Sequence, residues 1–214
     1  MTRLMIAVCC TALALAVAVG CEEQAKRPAG ELASARFQAT VYETRVPEAG
    51  VGAFDSESLA AKAGTAADLQ KALAACGTTK VLYQVDQTVN LAEDRIRIGK
   101  REPFVTNTRR TERGPAISMV QYEQVGVIFA IKAKPTDSGL DATVRIEMSA
   151  LTESGTKISE NVNAATVRSI ELGHNGPVQL GKPVVLVSVD ASSKDADGNA
   201  VACVCRIVFS EAGS

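Results

Sequence analysis

Histidine occurs once in this chain, at His174, so any histidine-based triad or general base must use it. Its setting, Leu172-Gly-His-Asn-Gly-Pro177, is turn chemistry with no nucleophile close in sequence. Asp195, Asp197 and Asn199 begin like a calcium loop. The glycine due at the sixth place and the glutamate due at the twelfth are missing, which leaves a hairpin turn. Asp68, Asp86, Glu93 and Asp94 could pair as carboxylates, yet no spacing aims two of them at one reacting atom. Arg109, Arg110 and Arg113 form a small basic cluster, read as a solvated loop. Contact with lipid headgroups or with a partner's acidic patch is the alternative. The sequence therefore offers no catalytic residue, no metal site, no cofactor site and no small-molecule substrate, and a non-enzymatic role is expected.

The cysteines carry more information. Arg3 gives a positive start, Leu4 to Val19 is almost wholly apolar, and Ala18-Val19-Gly20 places small residues before Cys21. The apolar run is roughly sixteen residues, short of the roughly twenty a spanning helix needs. Residues 1–20 read as a signal peptide of the lipoprotein type, in which Cys21 is the lipid attachment site carrying acyl chains such as palmitate. Stable anchoring takes two chains, since a single one binds reversibly. The expected location is the cell envelope, lipid-anchored, at the outer membrane and facing the periplasm. Cys9 and Cys10 leave with the signal, so Cys76, Cys203 and Cys205 remain as thiols. Cys203 and Cys205 lie two apart on an expected strand and point the same way. A disulfide from Cys76 to Cys203 or Cys205 requires Cα atoms within about 7 Å. Buried small hydrophobes on a core face is the favoured reading.

The elements that must position these residues are mostly strands. Formal charge is −1, aromatic content is 4% and the cations are dispersed, so nucleic-acid binding has no support. Residues 21–35 read as a flexible tether with Pro28 and Gly30, residues 36–210 as one β-domain, and residues 211–214 as a tail. Arg36 to Pro47 is a first strand, followed by a Gly- and Ala-rich loop. Ser56 is expected to cap a short helix that stops at Gly64. Thr65 caps a second one with Asp68 three residues on, and Leu69, Ala72, Leu73 and Cys76 form its apolar face up to Gly77. Thr79–Val85, Thr88–Leu91 and Arg95–Ile98 follow as short strands, with 105–115 as a polar loop. Val125, Val127, Phe129, Ile131 and Ala133 then alternate along one strand, and Val144, Ile146 and Met148 along the next. Pro135-Thr-Asp-Ser-Gly139 supplies the turn between them. Residues 152–163 read as a polar connection, and 173–181 as a turn between strands at Ala165–Leu172 and Pro183–Val189. A final strand from Val201 to Phe209 follows the Asp-Gly turn at 197–198. The expected fold class is mainly β (α+β), antiparallel, with one or two short helices near the N-terminal side.

Several of these segments resemble the membrane-embedded domain of the secretins, the ring-forming outer-membrane channels of type II and type III secretion systems. Tyr122, Glu123, Val125 and Gly126 open the first long strand as that family does, and Glu147 and Ser149 close the second. Phe37-Gln-Ala-Thr-Val-Tyr-Glu43 is similar to the strand that opens the domain. Leu69 to Leu91 is similar to its helix, glycine and Lys-Val-Leu strand. Gly99, Pro103, Phe104 and Val105 match an Ile-x-Val-Gly-x-x-x-Pro-Tyr-Val segment, and Gly181, Val184 and Val185 match a Gly-x-x-Val-Val run. Gly99, Pro103, Tyr122, Gly126, Ser149 and Gly181 are the structural residues this resemblance marks. It implies a lipoprotein form of the domain, shortened in two places. A plain polar turn at 190–199 stands where the family carries its gate segment, and only the tether precedes Phe37 where it carries periplasmic ring domains. It also implies a component of secretion or protein export, with the membrane, further copies of itself and secretion-system proteins as partners. The alternative is a monomeric lipoprotein that uses the same β-scaffold as a protein-interaction module.

Overall fold

Alternating apolar residues need a second apolar surface, and the chain supplies it by stacking two sheets. The computed structural model describes residues 32–109, 117–159, 162–194 and 197–212. Its strands are β1 (Ser34–Val46), β2 (Thr78–Asn90), β3 (Asp94–Arg109), β4 (Ile117–Thr136), β5 (Gly139–Ser159), β6 (Val162–Val178), β7 (Pro183–Lys194) and β8 (Ala200–Glu211). They form two four-stranded antiparallel sheets, ordered β2-β1-β8-β7 and β3-β4-β5-β6. The first contains both ends of the described domain, and the second is one unbroken meander.

The core lies between the sheets. Phe37, Val41, Cys205, Ile207 and Phe209 from the first meet Val127, Phe129, Ile131, Val144 and Ile146 from the second. Phe37 meets Phe129 and Phe209 edge-on, with ring centroids 5.7 Å and 5.3 Å apart, an arrangement aromatic quadrupoles favour. The alternation read from β4, β5 and β8 therefore holds, because one face of each strand is sealed against this interior.

A helical layer covers the opposite face of the first sheet. A 3₁₀ turn (Glu48–Ala53) leads into α1 (Ser56–Ala61) and α2 (Ala66–Ala74). The N-cap of α1 is Asp55 rather than Ser56: Asp55 is extended, and its carboxylate accepts from the Ser58 amide at 2.8 Å. The α2 capping box forms as expected between Thr65 and Asp68. Leu69 and Leu73 bury against Tyr42, Val185 and Val204. Tyr42 Oη donates to the Ala66 carbonyl at 2.8 Å, and Arg206 donates to the carbonyls of Ala63 and Gly64 at 2.9 and 2.8 Å. Those two side chains pin the helix pair to the sheet.

The strands are longer than the sequence suggests. Thr79–Val85 and Thr88–Leu91, expected as two strands, are joined in one, β2, which ends at Asn90. Residues 105–109, 152–159 and 173–178, expected as connections, are strand as well. Cross-strand pairing holds them extended, and that pairing needs no apolar alternation. The Arg109 end of the basic cluster is thus strand rather than loop, while Arg110 and Arg113 lie outside the described residues.

Candidate assembly interface

The β3-β4-β5-β6 sheet has two halves with different surroundings. Nearer the β4–β5 turn it forms one wall of the sandwich. There β4 and β5 pair in continuous register from Thr136–Gly139 to Gly126–Ser149, where their pairing ends. The outer pairs continue: β3 with β4 to Arg109–Ile117, and β5 with β6 to Ser159–Val162. The sheet forks at this line into two hairpin arms, one built from residues 100–109 and 117–125, the other from 150–159 and 162–168.

Small residues line the fork. Gly99 pairs with Gly126, Gly126 with Ser149, and Ser149 with Ser169, so one row crosses all four strands. A Cβ on Gly99 would meet the Val125 carbonyl oxygen at 2.2 Å, and one on Gly126 would meet the Ile98 carbonyl oxygen at 2.2 Å. Gly126 also has φ +144°, open to glycine and rare for other residues. The two backbones approach as only a glycine pair allows. Ser149 Oγ donates to the Gln124 carbonyl at 3.0 Å, tying the row to β4 just beyond it. Three of the residues marked in the sequence thus meet in one row. Pro103 and Tyr122 pair with each other just beyond it, and Gly181 lies in the β6–β7 turn, donating its N–H to the Phe209 carbonyl at 2.7 Å.

Past the fork every arm strand is paired on one side only among the described residues: β3 and β6 at the sheet's outer edges, β4 and β5 along the split. An unpaired strand edge carries a row of free N–H and C=O groups that template another strand. Each arm strand is roughly ten residues at most, about 33 Å at the strand rise, near the 9–11 residues of a transmembrane β-strand. Two of the exposed large apolar residues, Tyr122 (63%) and Val167 (39%), sit on the arms.

Beneath the arms the space between the sheets turns polar. Lys80 pairs with Glu43 at 2.8 Å, Lys100 with Glu102, and Arg168 with Asp190 at 3.3 Å. Apolar packing stops where these charges begin, so the sandwich has a defined end. The outer face of the sheet is sorted by charge. On β3 and β4 it presents Arg95, Arg97, Arg101, Lys132 and Lys134, all exposed, with no carboxylate among them. On β5 and β6 it presents, among the described side chains, Asp141, Glu147 and Glu171 with Arg145. Arg145 pairs with Glu171 at 2.8 Å and with Glu147 at 3.3 Å, two carboxylates to one guanidinium.

The chemistry-bearing residues of the sequence do not converge. His174 lies on β6 with its Nε2 buried and unbonded, and no group of three His, Cys, Asp or Glu able to hold a metal occurs among the described residues. Asp68 serves the α2 cap, Asp86 takes two hydrogen bonds from Arg36 at 2.7 Å, and Asp94 accepts from the amides of Asn90 and Arg95. Cys76, Cys203 and Cys205 are free thiols, so the bridge left open by the sequence is not formed in this structure. Cys203 and Cys205 point into the core beside Ile207, whereas Cys76 follows the α2 C-cap and donates to the Ala72 carbonyl. Burial pushes the Cys203 thiol up to about 12 and raises Cys205 as well, which keeps both protonated and unreactive. Cys21, Asp195 and the signal segment lie outside the described residues. No helix among those described is long and apolar enough to cross a membrane, which leaves strands unaddressed.

No family model and no curated protein matches the sequence. Solved structures do. The chain is similar to Aeromonas hydrophila ExeD, with 14% identity, a TM-score of 0.40, and coverage of 83% of this chain and 47% of that one. It is similar to the type II secretin GspD of enteropathogenic Escherichia coli at 12% identity and a TM-score of 0.36, covering 84% and 70%. It is also similar to the Salmonella SPI-1 type III secretion injectisome secretin InvG at 10% identity and a TM-score of 0.34, covering 85% and 63%. The chain spans about half the length of ExeD.

Proposed function

We propose that this chain is a lipid-anchored bacterial envelope protein whose arms join edge to edge with further copies, as a secretin-type component of protein export at the outer membrane. The fork carries the reading. It leaves strand edges unpaired along both arms, and natural proteins cover, charge or pair such edges. In a bilayer the requirement is stricter, because strands survive there only in a closed barrel with every backbone group bonded. Arm length near the transmembrane range supports the membrane placement, as does the lipoprotein-type signal ending at Cys21. The charged residues interspersed through the arm sequences favour the second reading, a monomeric lipoprotein whose open edges receive a partner's strand by β-augmentation.

Mild detergent extraction of the native protein, followed by mass photometry, separates the two. A species of many copies is expected, and a single-chain mass would remove the ring in favour of the interaction module. Cys21→Ser is expected to abolish incorporation of a palmitate analogue. Continued labelling of that variant would contradict the anchor.

A further inference from the structure

The outer face of the β3–β4 pair carries five cations that the fold leaves without partners. We infer that the single chain lies on the bilayer through this face, with Arg95, Arg97, Arg101, Lys132 and Lys134 against the phosphates of anionic lipid headgroups. The inference rests on the envelope-lipoprotein reading above and not on assembly. It concerns the single chain, whether that is the working form or the form that precedes joining of copies.

The five side chains make one stripe. On a single face Arg95 pairs in register with Ala130, Arg97 with Ile128 and Arg101 with Gln124, and Lys132 and Lys134 continue along β4. From Gln124 to Lys134 is about ten residues of strand, roughly 34 Å. All five are exposed, and none makes an ion pair among the described residues. Other surface cations are matched: Arg36 by Asp86, Arg145 by Glu171 and Lys194 by Glu48. The carboxylates beside the stripe do not neutralise it. Asp94 is taken by the amides of Asn90 and Arg95, and Asp141 stands opposite Lys134 without an ion pair. Like charges held side by side repel, and an anionic surface relieves that repulsion.

The point where the chain enters the fold selects the membrane as that surface. The Ala33 carbonyl accepts from the Leu91 amide at 3.1 Å, and the Ala133 amide donates to the Leu91 carbonyl at 2.7 Å. Ala133 lies between Lys132 and Lys134, so the segment from Cys21 joins the domain at the lysine end of the stripe. That segment can span at most roughly 40 Å. A lipid on Cys21 therefore keeps the lysine end near the headgroups, at high effective concentration. A basic patch is a second anchoring signal beside an acyl chain, and each cation brought to an anionic surface adds roughly fivefold. The helical layer on the far side of the domain does not compete. From Glu48 to Cys76 it holds Glu48, Asp55, Glu57 and Asp68 against Lys62 and Lys71.

Lysine acylation of the native full chain tests the contact. Single chains separated by size from the detergent extract are placed at low density in phosphatidylcholine vesicles, with or without about three parts in ten of phosphatidylglycerol. Lys132 and Lys134 should react roughly fivefold more slowly on the anionic vesicles, while Lys62 and Lys71 react alike on both. Salt at about 1 M should erase the difference. The triple change Arg95→Gln, Arg97→Gln, Arg101→Gln should restore most of the lysine reactivity, and Lys62→Gln with Lys71→Gln should leave the protection in place. The inference is overturned if Lys132 and Lys134 react alike on both vesicles, if Lys62 and Lys71 are slowed as much, or if the triple variant keeps full protection. Binding to anionic but not to neutral vesicles would remove the lipid anchor and leave this face standing.

Discussion

Between Val125 and Ala133, β4 turns alternate residues into an interior closed by Phe37 and Phe209, and it is paired on both sides. Between Ile117 and Gln124 the same strand has β3 on one side and, among the described residues, no strand on the other. The two halves share a chain direction; they differ in pairing, since β5 lies alongside the first and not alongside the second. In the sandwich half stability comes from burial, and the edges are incidental. In the arms the edge left unpaired among the described residues is the property that matters. A strand can thus be core wall over one stretch and an open edge over the next, with a glycine pair marking the change.

Several substitutions would break or sharpen this contrast. The largest effect is expected from Phe129→Ala, which empties a fully buried site against Phe37. About 3–5 kcal/mol should be lost in urea unfolding. Tyr122→Ala, on the same strand but exposed, should cost at most about 0.5 kcal/mol. Similar losses at both positions would refute the division of the sheet. Gly126→Val tests the boundary itself. The positive φ and the Ile98 carbonyl in its path should cost about 1–3 kcal/mol, or force the hairpins apart. A thermal midpoint equal to wild type would show that no close approach exists there. Thr65→Ala removes the α2 cap and should cost about 1 kcal/mol. Because α2 packs on the far sheet, assembly should be unaffected; a change in oligomer mass would mean that the helical layer reaches the arms.

The smallest effect concerns acid. Hydrogen bonds from Arg36 and Gln38 hold the Asp86 carboxyl at about 2, below its usual value of about 4. The contribution is therefore present above the unfolded value and is lost as pH falls through about 2. Asp86→Asn should flatten the pH dependence of the midpoint between about pH 4 and 2 and change little at neutral pH. An unchanged acid slope would show that the pair, exposed on both sides, contributes nothing.

What could be read from the sequence follows the same division. Where a second sheet imposes alternation, as at Val125–Ala133 and Val144–Met148, the pattern announces the strand and its inner face. The capping box at Thr65 and Asp68 is equally local and equally visible. The arms are different: 105–109 and 152–159 are rich in Thr, Ser, Asn and Lys and carry no strict apolar alternation. They read as loops because pairing, which joins residues distant in sequence, is what makes them strands. Gly99, Gly126 and Ser149 were visible one at a time through a family pattern. That they stand in one row, and that the sheet divides there, depends on register and has no local signal.

The central claim is that the arm edges are paired in the working protein, and hydrogen–deuterium exchange on the detergent-extracted native particle measures this directly. Amides of 100–109, 117–124, 150–159 and 162–168 should be protected to a degree approaching those of 125–133, and should lose that protection when the particle is dissociated to single chains. If the arm amides exchange freely in the native particle while 125–133 stays protected, the edges are open in the working state and the assembly account is wrong.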